Sequence, residues 1–214
     1  VRTYATFEKT VDNIIQTHRY FNHELFLPAG PESISTIYRR SVVIPGMTLH
    51  RESALRHSTN RFVGTLLYQL YLVASIVVEM NAVYLPDVIV LYRMGGTPDF
   101  GNSAAEREKF TPMRQTPESS LHFVEGLLNI AKEVGLSKSL PIYKPIFCDL
   151  ANYSYPLLAI QANQGFIVFI RYGWNLARKG FWRYPIFWIY WLGILLFGTQ
   201  RLNSIFSYIK QKLG

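Results

Sequence analysis

Apolar positions along this chain change their period once inside a single continuous stretch. From Arg61 to Glu79 (RFVGTLLYQLYLVASIVVE) they follow helical spacing; from Ala82 to Arg93 (AVYLPDVIVLYR) they run almost unbroken and favour β-branched and aromatic side chains. At about 100° per residue, the polar side chains Thr65, Gln69, Ser75 and Glu79 fall within an arc of about 120°. The pattern predicts a helix buried on most of its circumference, with one polar strip left for solvent, a partner or a ligand. A turn at Asn81 and a strand covered on both faces follow, as in an α/β sheet. Pro86 puts that strand at a sheet edge or delays its start.

The remainder sorts by the same criterion. Residues 4–22 carry Phe7, Val11, Ile14 and Ile15 at helix-like spacing, and LPAGPESIS predicts a turn. A short strand is expected over Ser41 to Ile44, then a Pro45-Gly46 turn, an apolar run Met47 to Leu49 and a short helix from Arg51. Ser58, Thr59 and Asn60 offer capping oxygens for the main helix. After Arg93 comes an aperiodic loop with three glycines and three prolines, a length that fits a lid or a linker. Its Gly95-Gly96 pair lacks the Lys-Ser/Thr of a phosphate loop. Thr116-Pro117-Glu118 starts a packing helix through Leu121, Val124, Leu127, Leu128, Ala131 and Val134, with Gly135 as its stop. Pro141, Pro145 and Pro156 predict broken or kinked helices up to Asn163, and Gly165 precedes a further helix ending at Arg178-Lys179-Gly180.

Composition adds a boundary that periodicity does not show. The chain has 214 residues, 49% hydrophobic and 17% charged, enough for one sizeable core or a core plus an appendage. It carries a formal charge of +8, yet all fourteen acids lie at or before Asp149. Beyond Asp149 stand seven Lys and Arg, all four tryptophans and sixteen of thirty-two aromatics. From Tyr184 to Gln200 seventeen residues are uncharged, whereas a spanning helix needs about 20 apolar ones. Trp and Tyr crowd this run, and Arg178, Lys179 and Arg183 precede it while Arg201, Lys210 and Lys212 follow. The combination predicts a monotopic tail on an anionic membrane surface, with Trp182, Trp188 and Trp191 at the headgroup boundary. A buried helical hairpin and a tilted span are the competing arrangements. Because the aromatics sit in a continuous apolar run, single-stranded nucleic acid is not the expected partner.

Cys148 stands alone, which excludes an internal disulfide and a multi-cysteine zinc site and fits a reducing compartment. His18, His23, His50, His57 and His122 have no metal-ligand spacing. The chain opens at Val1 without an apolar signal region, the expectation being a piece of a longer protein.

Within Ser35 to Arg93, the glycine before a short apolar run and the basic-acidic helix start in GMTLHRESAL, the RFVGT approach, the long helix and the closing strand AVYLPDVIVLYR have a joint counterpart. Together they resemble the second half of family 2 glycosyltransferases, particularly bacterial members that build surface polysaccharides. The resemblance implies an α/β fold: a partial GT-A-like sheet with packed helices over 1–93, a flexible loop over 94–119, and a mostly helical region over 120–214 ending in the basic aromatic tail. It implies transfer of a sugar from a nucleotide-activated donor to a saccharide or lipid-linked acceptor, at the cytoplasmic, inner face of the cell membrane.

The chain departs from that family in two places. No Asp-X-Asp occurs, so the divalent Mg or Mn that holds the donor diphosphate is expected only with an N-terminal half. Where inverting members carry an acidic general base near the start of the long helix, this chain has Thr65-Leu66-Leu67-Tyr68-Gln69. Tyr68 and Gln69 can hydrogen-bond a sugar, but neither is a base at neutral pH, and no catalytic residue is assigned. Arg93, at the root of the loop, can meet a diphosphate with its fork of donors. The expected product is inactive alone. The alternative is a non-catalytic membrane-binding or protein-interaction module.

Overall fold

The computed structural model describes residues 2–8, 10–42, 44, 46–95, 106, 109 and 115–213. It is a mixed α/β chain that divides into two compact units, 1–113 with 126–146, and 114–125 with 147–214.

In the first unit, β1 (Arg2–Phe7), β2 (Ile14–His18), β3 (Leu25–Leu27) and β4 (Ala82–Arg93) form one sheet in the order β2-β1-β4-β3. β1 runs antiparallel to β2 and parallel to β4, and β3 runs antiparallel to β4. The helix expected over residues 4–22 is therefore a hairpin. The spacing of Phe7, Val11, Ile14 and Ile15 fits a helix, but Asn13 N–H closes a turn on Thr10 C=O at 3.1 Å, and Tyr4 stacks on His18 across the strands with ring centroids 4.5 Å apart. β-Branched Thr3, Thr6, Ile14, Ile15 and Thr17 fit the pleated surface better than a helix.

β4 has the predicted span, but two of its expected properties are corrected. Pro86 does not delay the strand, which starts at Ala82, but it does stand where the pairing with β3 has ended, on a side without a strand partner among the described residues. The register with β1 passes from Leu85 to Val88, and that with β3 ends at Tyr84, so the missing proline N–H falls in a bulge and costs no ladder bond. Nor is the strand covered on both faces, since nearly all of Leu85–Arg93 is exposed or half-buried.

The helices of this unit are α1 (Pro31–Ile37), α2 (Arg51–Arg56), α3 (Tyr68–Val77) and the later part of α4 (Pro117–Ser137). α1 occupies the stretch expected to be a turn, because Pro31 stands at its first positions behind Gly30 at φ 138°. Instead of a strand, Arg39–Ser41 continue as a 3-10 turn and Val42 stays helical in φ/ψ; Ser41 N–H bonds Tyr38 C=O and its hydroxyl bonds Ile37 C=O. Met47 N–H reaches Ile44 C=O at 3.1 Å and Gly46 stands at φ 73°, while Pro45, the other residue of the expected turn, lies outside the described residues.

α3 starts seven residues after Arg61. Gly64, at φ 77°, and the Thr65-to-Phe62 hydrogen bonds make turns of the intervening segment. Ser58, Thr59 and Asn60 consequently do not cap α3: Leu67 is its N-cap, without a side-chain bond. The polar strip disappears as well, for Ser75 is buried and Thr65 and Glu79 lie outside the helix. Ile34, Ile37, Leu70, Ala74, Ile130 and Val134 fill the core, and the buried Tyr38 hydroxyl donates to Leu127 C=O at 2.6 Å. α4 begins as predicted, with Ser119 N–H on the Thr116 hydroxyl at 3.1 Å. It passes Gly135 and ends at Ser137, where Leu140 N–H folds back onto Gly135 C=O at 2.9 Å. A Cβ at 135 would lie 3.1 Å from the Leu140 carbonyl oxygen, so this glycine serves the return of the chain rather than the stop.

The second unit takes the start of α4, most of α5 (Tyr143–Asn152), α6 (Ser154–Ala162), α7 (Phe166–Arg178) and α8 (Pro185–Leu213). The broken helices expected from the prolines are present as α5 and α6. α8 is interrupted at Gly198 (φ 72°, ψ 165°). Phe147, Leu158, Phe169, Leu176, Phe181 and Phe187 form its core.

Candidate functional site

Two places in the chain combine exposure with chemistry. The first is the C-terminal end of the parallel pair β1/β4. Arg93 stands opposite Phe7, and Met94 N–H closes the pair on Phe7 C=O at 2.7 Å. Ligands of open α/β sheets gather beyond this end of parallel strands. Val88 is 42% exposed, Ile89 51%, Leu91 46% and Tyr92 44%. Neighbouring residues of a strand point to opposite faces, so β4 is exposed on both, whereas Thr3, Ala5 and Thr6 of its partner β1 are buried. Arg93 is exposed there, at the root of the stretch 94–119 expected to be a flexible loop, of which Pro117 to Ser119 belong to α4. Most of that loop lies outside the described residues.

Tyr68 and Gln69 are committed elsewhere. The Tyr68 hydroxyl accepts the Thr59 N–H at 3.4 Å, and the Gln69 amide donates to Val42 C=O at 3.1 Å, so both tie α3 to the segment before it. The start of α3 does meet an acid, one that local sequence does not reveal. Glu106 is buried and its carboxylate accepts the Leu66 N–H at 2.5 Å, in the turn just before α3. Forty residues separate the partners, and no spacing rule points to the pair. Beyond the other end of α3, Glu79 takes an ion pair from Lys138 and a contact from His57 at 3.1 Å; the Lys138 hydrogen bond, chiefly, holds its carboxyl below the usual range.

The second place is the outer side of α7 and the turn after it. Arg178 lies over the Trp174 ring at 5.9 Å and Arg183 over Trp182 at 5.5 Å, all four side chains exposed. Lys179 pairs with Glu125. Trp188 donates its indole N–H to Trp182 C=O at 2.9 Å and packs edge-on to Trp191, with centroids 5.4 Å apart. Trp191 turns inward against Gly173, its indole nitrogen buried. Burial also pushes the Tyr172 hydroxyl far above the usual tyrosine range. Of the six residues expected at a membrane surface, Arg178, Trp182 and Arg183 therefore face outward, Lys179 is shared with an acid, and Trp188 and Trp191 belong to packing. Phe166, Ile167 and Trp174 are outward residues that the sequence analysis passed over; their spacing on α7 was the available signal.

Among the described residues no group of three or more His, Cys, Asp or Glu is placed to hold a metal, and no helix is long and apolar enough to cross a membrane. No protein-family model, curated protein or solved structure matches this chain.

Proposed function

We propose that this chain is the acceptor-side portion of a GT-A-type, family 2 glycosyltransferase, moving a sugar from a nucleotide donor to a saccharide or lipid-linked acceptor at the inner face of the cell membrane. The observation that carries this is the exposure of β4 on both faces beyond Tyr84. Parallel strands are stable when helices or further sheet cover both faces, and β4 exposes apolar side chains on each. A nucleotide-sugar half packed there would supply the cover, and it would place the donor beside Arg93 at the C-terminal end of the strands. In this reading the metal-binding Asp-X-Asp, which does not occur in this sequence, belongs to that half. In this portion Arg93 binds and orients the diphosphate.

The test compares this chain with the full product of its reading frame for turnover of nucleotide sugars. The chain alone is expected to be inactive and the full product active, with Arg93→Ala raising the donor KM about tenfold or more, the loss of a charge-assisted hydrogen bond. Turnover by the chain alone, or a reading frame without a nucleotide-sugar segment and an Asp-X-Asp, refutes the proposal. The second possibility, a non-catalytic membrane-binding or protein-interaction module, is favoured by the acid-free sequence after Asp149 with its outward Trp174 and Trp182. Vesicle binding by a full product that binds no nucleotide sugar would select it.

A further inference from the structure

α7 is apolar on two opposite sides, and only one of them has a use within its unit. Phe169, Tyr172, Leu176 and Ala177 are buried in the interior. On the far side, at about 100° per residue, Ile167, Ile170, Arg171, Trp174 and Arg178 lie within an arc of about 100°. Ile167 is 80% exposed, Phe166 67% and Trp174 51%. Single exposed apolar residues are ordinary, but a contiguous stripe of them marks a surface that meets something.

The geometry points to an anionic lipid bilayer as the occupant of this face, with Phe166, Ile167, Ile170 and Trp174 entering the headgroup boundary and Arg171 and Arg178 meeting lipid phosphates. The assignment rests on the membrane association proposed above and says which surface performs it. Charge complementarity selects lipid over a protein groove. Residues 150–214 contain no Asp or Glu, both charges on the stripe are Arg, and Arg183 over Trp182 extends the same chemistry into the next turn. Tryptophan and arginine side by side suit the interface, where one end of the ring is wet and the guanidinium reaches phosphate. The indole that turns inward, Trp191, is not part of the face.

Flotation of the whole protein with vesicles of mixed phosphatidylcholine and phosphatidylglycerol, against pure phosphatidylcholine, tests this. Arg171→Gln with Arg178→Gln is expected to lower partitioning onto the anionic vesicles about 25-fold, some fivefold per charge, and to leave the zwitterionic value unchanged. Ile167→Ser with Trp174→Ser should lower both more than tenfold. All four side chains are exposed or half-buried, so unchanged circular dichroism verifies that the fold survives. If the unaltered protein binds neither vesicle, membrane association itself fails. If it binds and the variants bind equally well, the association stands and this face is wrong. If the variants instead change the oligomeric state in lipid-free solution while vesicle binding persists, the stripe is a contact between copies and the lipid assignment is overturned.

Discussion

Gly173→Ala should destabilise the second unit although it removes a helix-interior glycine. A Cβ built at 173 lies 2.6 Å from Trp191 Cδ1 and 2.9 Å from Cε2, and closer still to the indole nitrogen. Comfortable carbon contacts are about 3.5 to 4 Å, so the indole must retreat by roughly 1 Å. It has little room, with Trp188 at 5.4 Å and Phe169 at 6.2 Å between ring centroids. Overpacking of this kind costs about 1 to 3 kcal/mol, and the helix-propensity gain of alanine returns about 1, leaving a net loss of about 0 to 2 kcal/mol. Gly126→Ala is the control. It gains the same propensity in α4, and its Cβ meets only the Leu67 Cδ1 methyl at 2.9 Å, which a rotamer change can move. That variant should be neutral or more stable by up to about 1 kcal/mol. All four tryptophans lie in the second unit, so urea unfolding followed by fluorescence reports Gly173→Ala, and far-UV circular dichroism reports Gly126→Ala. Trp191→Leu should absorb most of the cost in a double-mutant cycle. A midpoint for Gly173→Ala above that of the unaltered protein, or a fall for Gly126→Ala as large as that for Gly173→Ala, would refute the reasoning.

Two further predictions concern the first unit. The Tyr84 hydroxyl is buried 2.7 Å from the Thr3 hydroxyl and accepts the Tyr20 N–H at 3.2 Å. Tyr84→Phe strips Thr3 of that partner inside the sheet and should cost about 1 to 3 kcal/mol in chemical denaturation, and an unchanged midpoint counts against it. Glu79 has its folded pKa depressed, chiefly by Lys138, so its contribution is present above the unfolded value of about 4.3 and is lost as pH falls through the folded one. The pair is solvent-accessible and the effect should stay below about 1 kcal/mol. Glu79→Gln should flatten the acid side of the stability profile by that amount, and an acid limb identical in both proteins would remove Glu79 from the account.

Local pattern revealed what local interactions decide. The strand Ala82–Arg93, the start of α4 at Pro117 and the helix from Phe166 to Arg178 follow from composition, proline placement and the glycine at 165. The hairpin of β1 and β2 was hidden because its apolar spacing suits a helix, while β1 finds its parallel partner some eighty residues later. α3 starts late because Gly64 adopts a positive φ that its neighbours do not announce. The site divides the same way. Arg93 could be placed from its strand, whereas the duties of Tyr68 and Gln69 depend on Thr59 and Val42. Which tryptophans face outward is settled by a glycine on another helix, since Trp191 turns inward only because Gly173 leaves it space.

The β4 register has a practical consequence for handling this protein. Among the described residues β3 pairs with β4 only as far as Tyr84, so from Leu85 to Arg93 one side of a long apolar strand keeps its amide and carbonyl groups open. Such an edge templates strand addition from another molecule. Pro86 interrupts the start of the edge with a position that cannot donate, and Asp87 adds a charge, but Val88 to Tyr92 carry no such guard. Self-association through these five residues in concentrated preparations is the expected outcome, and Ile89→Lys, at an exposed position, should reduce it in light scattering.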